Sequence, residues 1–190
     1  MPPPVLVVPG LANSGPGHWQ TLWEKKYAGF RRVEQDNWDF PIREEWVKRL
    51  DHYIEEAESP PLLVAHSLGC LTVVHWANQH TRELRGALLV VPPDLEAPGA
   101  PWEESDFLPV PKRLLPFPSV VVSSDNDTWC ALQRGQALAK TWGSRFVNAG
   151  ACGHINADAG FGSWSLGEEL LAELLSAPAP ELPASSTKRS

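Results

Sequence analysis

Basic side chains are scarce in this 190-residue chain: 16 Lys and Arg stand against 23 Asp and Glu, for a formal net charge of −7. Nucleic acids and anionic membranes bind basic surfaces, so neither is expected as a partner. Long apolar runs are missing as well, and no stretch approaches the roughly 20 residues of a membrane-spanning helix. The start, Met1-Pro2-Pro3-Pro4, lacks the basic segment of a secretory signal and runs straight into a strand-like stretch. There are only three cysteines, Cys70, Cys130 and Cys152, and none is in C-x-x-C spacing. That argues against a disulfide framework and a zinc site, and it predicts reduced thiols in a cytoplasmic protein.

What is present suits a globular protein, with 43% hydrophobic and 21% charged residues. The length fits one domain, expected over residues 1–176. The Pro-, Ser- and Ala-rich tail at 177–190 is expected to be disordered.

Val5 to Val8, closed by Pro9-Gly10, reads as a strand buried on both faces of a parallel sheet. Similar runs recur at Leu62–His66, Ala87–Val91 and Ser119–Ser123, with weaker strands at Arg32–Gln35 and Arg145–Val147. Helical spacing fills the intervals: His18 to about Gly29, Arg43–Glu58, Leu68–His80, Cys130–Trp142 and Ser165–Leu175. Six strands alternating with helices predict an α/β fold with a mostly parallel sheet. Loops after the carboxyl ends of such strands gather on one edge of the sheet. The proline-rich, acidic stretch from Asp94 to Pro118 reads as a long irregular loop or a short lid.

Chemistry concentrates on that edge. Leu62 to His66 ends abruptly in Ser67, with Ala65 two residues before it, Gly69 two after it and a helical pattern at once beyond. This resembles the G-x-S-x-G elbow, a strained strand-to-helix turn whose small residues let two backbones approach closely. Ala65 takes the place of the first glycine. By itself Ser67 reads equally well as a helix N-cap. After the fifth strand, Ser123-Ser124-Asp125-Asn126-Asp127 offers either caps for the next helix or an aspartate able to orient a histidine. After the sixth, Gly150-Ala151-Cys152-Gly153-His154 sets a histidine among small residues that let its ring swing over a neighbouring turn. Ser, Asp and His in that order, each following a parallel strand, are the arrangement of the α/β-hydrolase triad. The oxyanion donors expected with it are the N–H of Leu68, next to Ser67, and one from the loop after the first strand, where Gly10-Leu11 is best placed.

The stretches Val8-Pro9-Gly10, Gly17-His18-Trp19, His66-Ser67-Leu68-Gly69-Cys70, Ser124-Asp125-Asn126-Asp127 and Gly153-His154-Ile155-Asn156, the last followed by Gly160-Phe161-Gly162-Ser163-Trp164, carry a more specific likeness. The chain resembles the small serine-hydrolase family of retinoblastoma-binding protein 9 and the YdeN-like proteins, from about residue 5 to residue 175. The resemblance implies a compact α/β-hydrolase fold without a large cap domain, and Ser67, Asp127 and His154 as the catalytic residues. Asp127 is preferred to Asp125 because the family's aspartate is usually followed by proline and an aromatic. Here Thr128-Trp129 stands in that place. The Leu-x-Cys-x-Glu motif linked to retinoblastoma binding is not matched, since Leu68-Gly69-Cys70-Leu71 is followed by Thr72.

These residues predict hydrolysis of a small acyl ester or amide, with no metal or organic cofactor. His18, Trp19, Trp38 and Trp129 lie on loops expected to surround Ser67 and are candidate pocket residues; short loops around them predict a shallow pocket. The rival reading is a protein-binding module on a hydrolase scaffold with weak or no turnover. Thiol chemistry at Cys70 or Cys152 is a weaker rival, because Cys70 falls inside a helix predicted to be buried.

Overall fold

Burial on both faces explains why the central strands are almost wholly apolar. The computed structural model describes residues 3–99 and 104–177. Its strands are β1 (Val5–Val8), β2 (Phe30–Arg32), β3 (Leu62–His66), β4 (Gly86–Val90), β5 (Ser119–Ser123) and β6 (Arg145–Asn148). They form one sheet in the order β2-β1-β3-β4-β5-β6, and every neighbouring pair is parallel. The helices are α1 (Trp19–Lys26), α2 (Arg43–Glu55), α3 (Leu68–Gln79), α4 (Leu132–Trp142) and α5 (Ser165–Ser176).

The period-2 alternation of strand side chains divides the core into two layers. Leu63 and Ala65 of β3 join Trp46, Leu50, Leu71 and Leu138 from α2, α3 and α4. Leu62 and Val64 face the other way, toward Trp19 and Trp23 of α1 and Leu170 and Leu174 of α5. From β1 the sheet grows one way to β2 and the other way to β3 and beyond. The crevice outside the carboxyl ends of β1 and β3 is therefore a topological switch point, where open parallel sheets bind ligands.

Two expectations need correcting. The second strand lies at Phe30–Arg32 rather than Arg32–Gln35, with Phe30 opposite Val5. It is an edge strand with two arginines, and its polar sequence hides it; Val33 beyond it is fully buried and donates its N–H to Val7 O over 2.8 Å. Several helices are also shorter than their patterns suggest: α1 gives way at Tyr27, α2 stops at Glu55 and α4 begins at Leu132. The described part of the Asp94–Pro118 stretch is irregular, as its composition predicts. Phe107, Val110 and Phe117 are buried in the core, and its backbone is tied down by His75 Nε2–H to Phe107 O at 2.8 Å and Trp142 Nε1–H to Pro111 O at 2.9 Å. Of the tail expected to be disordered, residues 178–190 lie outside the described residues. Among the described residues, no helix is long and apolar enough to cross a membrane.

Candidate active site

Ser67 joins β3 to α3 at φ 53° and ψ −126°, a positive φ that few residues other than glycine adopt. It occupies the N-cap position but makes no side-chain cap bond, which removes the capping reading. The turn is tight for a steric reason. A Cβ on Gly69 would lie 2.2 Å from Val8 O and 2.6 Å from Pro9 O, so the start of α3 presses on the end of β1. A Cβ on Gly10 would meet Ser67 Cβ at 2.9 Å and Leu68 N at 3.1 Å. Ala65, by contrast, is an ordinary buried strand residue paired with Val8, so the first small position of the elbow tolerates a methyl and the second does not.

The hydroxyl that is spared from capping is hydrogen-bonded to His154, with Oγ and Nε2 2.9 Å apart. On the other side of the ring, Nδ1 lies 2.9 Å from Asp127 Oδ1 and 3.1 Å from Oδ2. Only an Nδ1–H can donate to the carboxylate, which leaves Nε2 to accept from the serine. The Asp127 side chain is 1% exposed and that of His154 12%. Asp125 points elsewhere, and its Oδ1 accepts from Asn148 Nδ2 at an exposed site. The pair that the sequence leaves open is thus separated by geometry, with Asp127 on the histidine and Asp125 on the β6 edge.

The loop after β1 is equally fixed. Ala12 and Asn13 both have positive φ, and Ala12 N–H donates to Trp38 O over 2.9 Å. Gln20, fully buried, donates from its side chain to Val8 O and Val64 O and accepts from Ser14 Oγ. Leu11 and Leu68 both border the same cleft as Ser67. As the first residue of α3, Leu68 has an N–H among those with no intrahelical acceptor.

The cleft has a volume of about 910 Å³, near the top of the ordinary range for small-molecule sites. It is larger than the shallow pocket expected from short loops. Of the candidate pocket residues, His18 and Trp129 line it. Trp19 does not: it is fully buried and donates Nε1–H to Ile155 O over 2.8 Å. Trp38 packs edge to face on Trp46 instead. Both tryptophans are held by a core that the linear sequence does not display. Burial, Arg32 and His154 lower the His18 pKa to about 4; the neutral ring accepts the Gln20 N–H at Nδ1 and so caps α1.

Several lining residues go beyond the sequence expectations. Phe40, Ile42 and Trp129 are exposed apolar side chains on the rim, and Asp39, Glu104, Asp106 and Asp158 lie among them, with no lysine or arginine among the described lining residues. Phe40-Pro41-Ile42, an apolar triplet in a stretch whose pattern reads as loop, is the signal that points to this rim. A second cavity of about 350 Å³ lies beyond the amino ends of the strands near His80 and Leu114, away from Ser67. The thiols do not compete as nucleophiles. Burial pushes the Cys70 pKa well up and that of Cys130 to about 12, and Cys152 is also raised by burial.

The family model for serine hydrolases matches residues 5–173. A YdeN-like hydrolase from Pectobacterium atrosepticum is 31% identical, with 90% of each chain covered and a TM-score of 0.82. The ydeN gene product of B. subtilis is 22% identical over 92% of this chain and 100% of its own, with a TM-score of 0.70. An esterase from Thermogutta terrifontis shares the fold at 17% identity and a TM-score of 0.63, covering 91% of this chain and 90% of its own. No curated protein matches the chain. The fold is that of the α/β hydrolases, and the chain belongs to the serine hydrolase family together with the YdeN-like hydrolases.

Proposed function

We propose that the protein hydrolyses carboxylic esters through an acyl-enzyme on Ser67. The observation that carries this reading is the unbroken chain Ser67 Oγ, His154 and Asp127, with both hydrogen bonds at 2.9 Å. In the reaction, Ser67 Oγ attacks the carbonyl carbon as His154 Nε2 takes its proton, and Asp127 holds the ring in the Nδ1–H form and stabilises the imidazolium. The N–H groups of Leu68 and Leu11 stabilise the oxyanion; losing one such donor raises a barrier by roughly 2.7–4 kcal/mol in comparable enzymes. His154 then gives its proton to the leaving alcohol, and water repeats the sequence to release the acid.

The cleft favours an ester with a sizeable apolar arm lying over Phe40, Ile42 and Trp129. Its carboxylates disfavour an anionic one. The partner is then a small acyl substrate. Three free cysteines fit a reducing compartment, so we place the protein in the cytoplasm, working as one domain across residues 1–176.

A fluorophosphonate probe and a series of aryl esters from acetate to octanoate test the reading. Wild type is expected to label and turn over, and Ser67→Ala to do neither. Equal labelling of both proteins rules Ser67 out. No labelling and no turnover in wild type would favour the binding-module alternative.

A further inference from the structure

His66 is the last residue of β3 and the immediate neighbour of Ser67, yet its side chain serves the opposite partner. Its Nε2–H donates to the main-chain carbonyl oxygen of His154 over 2.9 Å. The two imidazoles meet edge to face with centroids 5.0 Å apart. Burial, reinforced by nearby His18 and His154, pushes the His66 pKa well below the usual value and keeps the ring neutral. A carbonyl can only accept, so the proton of this neutral ring sits on Nε2.

The turn that carries His154 needs such a hold. Ile155, the next residue, has φ 43°, an outlying conformation for a β-branched side chain. Backbone strain persists only where the surroundings over-determine it. Here four side chains from three other parts of the fold grip consecutive residues. Ser124 Oγ accepts the Cys152 N–H at 2.9 Å and Asn126 Oδ1 the Gly153 N–H at 2.7 Å. His66 and Trp19 donate to the carbonyls of His154 and Ile155 at 2.9 and 2.8 Å. Of these four, His66 is the one joined by a peptide bond to Ser67.

We propose that His66 is a positioning residue coupling the nucleophile to its base: its Nε2–H fixes the His154 main chain relative to Ser67. The Ser67–His154 hydrogen bond is thereby held at reacting length before substrate arrives. This rests on the ester-hydrolase reading above. Because the bond is made to the main chain and not to substrate, its loss falls on kcat and leaves KM in place.

The test compares three variants. His66→Phe keeps the ring and its bulk but removes the donor; kcat is expected to fall 10- to 100-fold with KM within about twofold, since small misplacements of reacting groups have effects of that order. His66→Gln sets an amide N–H close to where the imidazole Nε2–H lies and is expected to recover kcat to within about fivefold. His66→Asn is too short to reach and should behave like His66→Phe. The proton on His154 Nδ1, bonded to Asp127, gives a substrate-free signature: a sharp downfield NMR resonance in wild type and His66→Gln, broadened or lost in His66→Phe and His66→Asn.

Wild-type kcat in His66→Phe, or His66→Gln no better than His66→Asn, overturns the proposal. Should His66→Phe not fold, the Gln–Asn contrast decides. Fluorophosphonate labelling separates the two possible failures. If wild-type Ser67 does not label, the hydrolase reading fails. If Ser67 labels at the wild-type rate in His66→Asn, only the role of His66 fails.

Discussion

The turn that carries Ser67 and the turn that carries His154 meet at one 2.9 Å hydrogen bond, but they are held in different ways. The serine turn is held by backbone against backbone. Gly69 lies against Val8 O and Pro9 O, Gly10 against Ser67 itself, and the Ser67 N–H donates to Val90 O over 2.9 Å. The histidine turn is held mainly by side chains reaching in from β3, α1 and the loop after β5. Steric restraints of the first kind admit almost no substitution. Distributed polar restraints of the second kind lose precision one at a time. The Ser67 hydroxyl is therefore placed by close packing of neighbouring backbones and the His154 ring by hydrogen bonds from distant side chains.

The largest expected effect tests the histidine side. Asp127→Asn should leave the fold intact while lowering kcat about 10⁴-fold, because the ring loses its orienting carboxylate. Asp125→Asn, at the exposed Asn148 contact, should stay within about threefold of wild type. A larger loss in Asp125→Asn than in Asp127→Asn on a short-chain aryl ester would reverse the assignment.

Next comes the serine side. Gly69→Ala forces a methyl to within 2.2 Å of a carbonyl oxygen, and the overpacking should destabilise the protein by about 3 kcal/mol. Thermal unfolding would move down by roughly 10 °C. An unchanged melting temperature would show that the elbow has slack after all.

The third prediction concerns the histidines buried where the two turns meet. His18 has a folded pKa of about 4 against the usual 6.5. Between those values the unfolded chain binds a proton that the folded chain refuses, so stability falls as pH drops through the window. The loss from His18 is on the order of 3 kcal/mol, and His66, also shifted down by burial, adds to the same slope. His18→Asn keeps a good N-cap residue without a titrating ring, so its urea midpoint should vary less between pH 6.5 and 4. An identical slope in variant and wild type would remove His18 from the account.

The smallest effect sharpens the contrast. Asn126→Ala removes the Oδ1 that accepts from Gly153 N–H at an exposed site, where water can replace it. We expect little change in melting temperature and a drop in kcat of about tenfold or less, from a looser His154 turn. A collapse in stability would mean that the turn is as brittle as the elbow.

Much of the fold and of the site is legible in the sequence. Val5–Val8, Leu62–His66 and Ser119–Ser123 read as buried strands because parallel strands covered on both faces need continuous apolar sequence. Ser67 and His154 are legible because each follows a strand of the sheet among small residues. Other features are hidden for physical reasons. β2 carries Arg31 and Arg32 because an edge strand need not be apolar. Trp19 and Trp38 read as pocket residues because a tryptophan in or beside a loop looks the same whether it faces a cleft or packs inward, as Trp38 does on Trp46 and Trp19 on Trp23. His66 does carry a signal, as a polar residue closing an apolar strand, but nothing local ties it to the His154 carbonyl.

By itself, the sequence determined the parallel sheet, the edge on which its chemistry gathers, and a serine set among small residues on a strand-to-helix turn. Those follow from periodicity and steric size, which act between near neighbours in the chain. Only the tertiary structure decided between Asp125 and Asp127, brought Phe40 and Ile42 to the rim, and set His66 and Trp19 on the carbonyls of His154 and Ile155. Hydrogen bonds between residues as far apart as Trp19 and Ile155 depend on which strands lie side by side. That order, with β1 between β2 and β3, is a property of the folded sheet that no local pattern encodes.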